Sequence, residues 1–128
     1  MKKTIIFSLL TLLVAACDYG SYAAVGCIKQ NNGTSCNLSF ESFEGNYTFQ
    51  LKKDNKDGLI HYNVSLKEGN ATIFYKWANF DKEILVQISN SEHKEDRFGY
   101  VGANQGVEIT IQTDEKCFDG SFYFSLSD

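Results

Sequence analysis

The chain has 128 residues, 16 acidic against 12 basic, for a formal net charge of −4. That length is one domain with a single core, and the negative balance excludes charge-driven binding to nucleic acid or to anionic headgroups. Ten Phe, seven Tyr, four Cys and no Pro complete an aromatic, loop-tolerant composition.

In chain order, Met1-Lys2-Lys3 is followed by an apolar run through Ile5, Phe7, Leu9, Leu12 and Val14 that ends in Ala15-Ala16. A basic start, a short apolar stretch and small residues are the order of a secretory signal, and the run is too short for a bilayer span of roughly 20 residues. Residues 1–16 therefore stand outside the fold. Leu13-Val14-Ala15-Ala16-Cys17 resembles the lipobox of bacterial lipoproteins. The resemblance implies acylation of Cys17 as the mature N-terminus, and attachment through acyl chains to the cell membrane or outer membrane, facing periplasm or exterior. Asp18 resembles the residue that retains lipoproteins on the inner membrane of enteric bacteria. The alternative is a freely secreted protein, cut after Ala23 in Ser21-Tyr22-Ala23. Loss of residues 1–16 removes Lys2 and Lys3, so the net charge falls to −6.

Residues 17–26, with Gly20, Ser21, Ala23, Ala24 and Gly26, show no periodicity and read as a tether, leaving 27–128 as the domain. Cys27, Cys36 and Cys117 are an odd set once Cys17 is acylated, so one intramolecular bridge at most forms. A two-residue loop at Asn31-Asn32, before Gly33, would set Cys27 opposite Cys36 and make that pair the expected disulfide. A bridge from either to Cys117 is the alternative.

From there apolar residues alternate in short runs: Tyr47, Phe49, Leu51; Ile60, Tyr62, Val64, Leu66; Ile73, Tyr75, Trp77; Ile84, Val86, Ile88; Val107, Ile109, Ile111; and Phe122, Phe124, Leu126. Period two with polar turns between runs predicts an antiparallel β-sandwich of about eight strands, all-β and jelly-roll-like. The inward series predicts a buried Trp77. Most aromatics lie on the inward faces and read as core. Phe74, Phe80, Phe98, Tyr100 and Phe118 fall off the clear alternation, and Phe74, Phe80 and Tyr100 are the candidate ligand-binding residues.

No catalytic set assembles. A nucleophile would need His61 or His93 beside Ser or Cys, whereas His61 sits on a polar strand face and His93 in a charged run, Ser91 to Arg97. Asp54-Asn55-Lys56-Asp57-Gly58 lacks the ligand spacing of a calcium loop and reads as a turn. Asp114, Glu115 and Asp119 form a minor alternative. No metal or cofactor is expected. Five Asn-x-Ser/Thr triplets, at Asn32, Asn37, Asn46, Asn63 and Asn70, arise naturally from polar strand faces, with glycan acceptors of a eukaryotic secreted protein as the alternative.

Gly45-Asn46-Tyr47-Thr48-Phe49, the turn glycines Gly58 and Gly69, and Gly120-Ser121-Phe122-Tyr123-Phe124 are similar to small bacterial lipoproteins with one β-sandwich domain. They also look loosely like bacterial pre-peptidase C-terminal domains. The resemblance implies a lipid-anchored, non-catalytic envelope module with a protein or glycan ligand. A carbohydrate-binding domain using the off-pattern aromatics is the alternative.

Overall fold

The computed structural model describes residues 18–31, 33–52, 58–102 and 105–127. Cys17 and the 54–57 turn lie outside them. The described residues form nine strands: β1 (Asp18–Val25), β2 (Ile28–Asn31), β3 (Ser35–Lys52), β4 (Gly58–Glu68), β5 (Ala71–Trp77), β6 (Glu83–Ile88), β7 (Glu92–Val101), β8 (Gly106–Thr113) and β9 (Cys117–Ser127). Every pairing is antiparallel.

The fold turns on β3, which is long enough to serve two sheets. Residues 35–43 pair with β9 and residues 46–52 with β8. Its buried apolar positions are even-numbered through Phe40 and odd-numbered from Phe43, the change of parity falling at Ser42–Phe43, just before Gly45 at φ 123°. A strand that creases there keeps its apolar side inward in both layers. With β3 counted as two strands, one layer runs β3–β9–β4–β7 and the other β3–β8–β5–β6. That is the order of an eight-stranded jelly roll.

Between the layers lies one apolar core. Phe40 meets Phe122 edge-on at 5.5 Å, and Phe49 meets Phe124 at 5.6 Å. Leu38, Ile60, Val64, Ile73, Val107, Ile109 and Ile111 fill the rest with no exposure. At the open end of the sandwich the two ends of β3 meet, the Lys52 N–H donating to the Gly33 carbonyl at 2.7 Å. The creased end holds Gly45, Asn70 and Thr113.

Two expectations change. Asp18–Val25, read from sequence as part of a tether, is strand β1, paired with β3 from Asp18↔Phe49 to Val25↔Ser42. Its small residues carry no apolar rhythm because a backbone ladder holds the strand, supported by the Tyr22 ring stacked 5.2 Å from Phe43. The expected Cys27–Cys36 bridge is absent, and no disulfide joins either residue to Cys117. Asn31 pairs with Cys36, so the hairpin register runs four residues away from the one that would face Cys27 to Cys36. Asn31 starts the turn, its Oδ1 accepting from the Gly33 N–H at 2.8 Å.

Candidate functional site

At the open end, three aromatic rings stand together without being covered. β5 ends at Trp77, and the Phe80 N–H donates back to the Trp77 carbonyl at 3.1 Å, closing a turn with Ala78 at φ 51°. That turn brings the Phe80 ring to 4.7 Å from the indole. Across the sandwich, Tyr100 near the end of β7 meets the same indole edge-on at 5.7 Å. Phe80 is 58% exposed and Tyr100 52%. Water contact on that scale is unfavourable for a ring, and grouped rings left open mark a surface built for a partner.

Irregularities in both edge strands position these groups. In β7 the register moves from Leu59↔Tyr100 to Ile60↔Phe98, so Gly99 is the extra residue of a bulge, at φ 78°. A Cβ there would lie 3.0 Å from the Tyr75 ring. Glycine is therefore required twice over, by the backbone and by the close approach. In β6 the extra residue is Leu85, between Ile73↔Val86 and Phe74↔Ile84. The pair Tyr75↔Glu83 follows, and the Tyr75 hydroxyl donates to Glu83 Oε2 at 2.9 Å. Burial above all, and then the Glu83 hydrogen bond and charge, push the Tyr75 hydroxyl pKa up, which keeps it a neutral donor.

The result is a cleft of about 280 Å³ lined by Tyr75, Trp77, Phe80, Asp81, Glu83 and Tyr100. Trp77 is half-buried, not buried as its place in the inward series predicts. The alternation gives its side correctly, but the core stops before it. Its inner edge lies on Gly102, where a Cβ would be 2.9 Å from the indole.

Of the three candidates named from sequence, Phe80 and Tyr100 come together here. Phe74 does not: it is on the other face of β5, half-buried, with the Lys82 ammonium 4.7 Å from its ring centroid. Phe98 leans edge-on against Tyr75 at 6.3 Å, and Phe118 lies near the creased end beside Lys116. Sequence reasoning missed Trp77, Asp81 and Glu83 as cleft residues. The signal available was an acid in the turn after an aromatic strand end, Asp81, and another at the start of the next strand, Glu83.

Elsewhere the polar groups are engaged locally. His61 Nε2 lies 3.0 Å from Glu95 Oε2, and His93 Nε2 2.6 Å from Asn63 Oδ1, both pairs crossing between β4 and β7. Neither contact offers a base to a nucleophile. The charged run around His93 is an edge strand, with charges that discourage pairing with another chain. Cys117 is buried, and desolvation first, then the nearby Glu115, Asp114 and Glu44 charges, push its thiol pKa up against a lowering hydrogen bond with Asn70.

This architecture is an antiparallel β-sandwich with the strand order of a jelly roll. Among solved structures, the chain is similar to the module TmCBM61 in complex with β-1,4-galactotriose, at 16% identity, 86% coverage of each chain and a TM-score of 0.52. A CBM35 from Paenibacillus barcinonensis is more distant, at 8% identity, coverage of 87% of this chain and 98% of that one, and a TM-score of 0.44. At such identities the likeness is one of fold. No protein-family model matches the sequence, and no curated protein matches it.

Proposed function

We propose that this protein is a non-catalytic carbohydrate-binding module whose ligand lies in the Trp77–Phe80–Tyr100 cleft, on a domain held at the cell envelope by acylation of Cys17. The observation that carries the reading is the exposed aromatic cluster itself. The C–H face of a pyranose stacks on such rings, and its hydroxyls donate to carboxylates such as Asp81 and Glu83. Few polar groups among apolar walls fix orientation without closing the site. The lipobox-like Leu13 to Cys17 supports the anchor.

The chain's single tryptophan lies in the cleft, so binding reports on itself. Titration with oligosaccharides should shift Trp77 emission, and Trp77→Ala or Tyr100→Ala should lower affinity at least about tenfold, the equivalent of roughly 1.4 kcal/mol. A panel in which no oligosaccharide moves the emission or binds by calorimetry would sink the proposal. The anchor is tested separately by palmitate labelling and membrane partitioning of Cys17→Ser, which should be unlabelled and soluble. A cleaved variant that stays on the membrane would refute acylation.

A further inference from the structure

We infer that the ligand of this cleft is a cationic sugar, one carrying a free ammonium group, in preference to a neutral or acidic glycan. The inference rests on the carbohydrate-binding reading above and narrows it. The described lining is of two kinds only: the rings of Tyr75, Trp77, Phe80 and Tyr100, and the carboxylates of Asp81 and Glu83. No Lys, Arg or His is among these residues. Lys82, although it stands between the two acids in sequence, directs its ammonium over the Phe74 ring on the opposite face of β5.

Each half of that lining favours positive charge. Aromatic faces are negative by their quadrupole, and Trp is the strongest of them towards a cation. Trp77 and Phe80 are tilted by 39°, while Trp77 and Tyr100 are inclined at 70°, so the rings present differently directed faces and edges around one space. The two carboxylates are at its rim. Glu83 already accepts from Tyr75, which fixes its position, and a carboxylate retains further acceptor sites when one is used. A uronate or sulfated sugar entering this space would meet two like charges with no counter-cation in the lining. The chain's net charge of −4 adds to that repulsion. An amino sugar satisfies both parts at once, with its C–H face on a ring and its ammonium beside the carboxylates.

Calorimetry at pH 6 and low salt would compare a β-1,4-glucosamine trimer, its N-acetylated form and a neutral hexose trimer. The free amine is expected to bind on the order of tenfold tighter than the other two, with the advantage shrinking as salt is added. Asp81→Asn and Glu83→Gln, which keep the shape and one acceptor oxygen each, should bring the free amine's affinity down to that of the neutral trimer measured on the same variant, removing the preference. Choline, which brings the cation without the ring, should compete at least about tenfold more weakly than the amino sugar. Equal or tighter binding of the neutral or N-acetylated trimer would overturn the inference and leave the module reading standing. A preference that survives both substitutions would also overturn it, by placing its source outside the cleft. If no trimer binds, both readings fall together.

Discussion

The two ends of the sandwich solve opposite problems. At the creased end, turn groups from different strands bond one another: the Gly45 N–H donates to Thr113 Oγ1 at 2.8 Å, the Gly69 N–H to Asn90 Oδ1 at 2.6 Å, and Asn70 Nδ2 to Glu115 Oε1 at 2.8 Å. Each bond fills a polar group that the turn would otherwise leave to water. At the open end, rings stay in water and the backbone carries left-handed Ala78 and a bulge at Gly99. One end is spent on closing the fold; the other carries features that the fold does not need. The contrast teaches that exposure and backbone irregularity are each weak signs, since Phe118 is exposed beside left-handed Asp119 at the creased end, and that rings grouped around one cleft are a stronger one.

The largest effect should separate packing from function. Phe43 has no exposure and touches Tyr22 and Phe40, so Phe43→Ala should cost about 3–5 kcal/mol by denaturant unfolding. Trp77→Ala should cost only about 1–2 kcal/mol, because the indole buries part of its surface, yet it should lower affinity at least about tenfold. Equal stability losses would erase the difference between the two ends.

Alkaline titration sharpens the comparison next. Burial raises the pKa of Cys117, Tyr75 and Tyr62 in the folded state. Between the unfolded and folded values the native chain holds the proton that the unfolded chain has lost, so stability is full at lower pH and falls as pH rises. The decline should begin above about pH 9 with Cys117, at the creased end, and continue above about pH 10 with the tyrosines. Cys117→Ala should delay its onset, and Cys117 should alkylate more slowly than half-buried Cys27. Alkylation of both at one rate in the native protein would place Cys117 in solvent.

Gly102→Ala is a smaller change aimed at one ring. The added methyl meets the indole, so Trp77 should shift and affinity should fall several-fold for a stability loss of about 1 kcal/mol. Unchanged emission and affinity would mean that the indole does not need that floor. The smallest effect is a gain: Ala78→Gly relieves a left-handed alanine and should stabilise by about 0.5–1 kcal/mol. A loss would show that Ala78 is not strained.

Period-two alternation made the layers legible because each strand has one wet side, and turn spacing indicated an antiparallel sandwich; jelly-roll connectivity was a choice within that class, and its order is seen only in the strand pairings. It could not find β1, whose Gly20, Ser21, Ala23 and Ala24 give no apolar rhythm to a strand held through its backbone. It misplaced Trp77 in depth, since alternation specifies a side and not where the core ends. The cleft was half legible: Phe80 and Tyr100 stood out as irregular, but joining them to Asp81 and Glu83 needs β5, β6 and β7 to meet. The cysteine register failed at the turn. Asn31-Asn32-Gly33 permits several hairpin registers, and the one adopted is seen only in the pairing of β2 with β3.

Were the domain anchored through Cys17 as proposed, strand β1 would have a mechanical consequence. Its ladder begins at Asp18, leaving no slack, and its first residue is near the open end, since Phe49 is two positions from Leu51, in the row Leu51↔Val107↔Trp77. Because the cleft is at the same open end, opposing pulls from a membrane and from a bound polymer would load the first pair, Asp18↔Phe49, before the other seven. Such a domain would sit close to the lipid surface with little freedom to swing. Its capture zone would be a thin layer next to the bilayer, and the force of a bound polymer would pass through β1 directly into β3, the strand that both layers share.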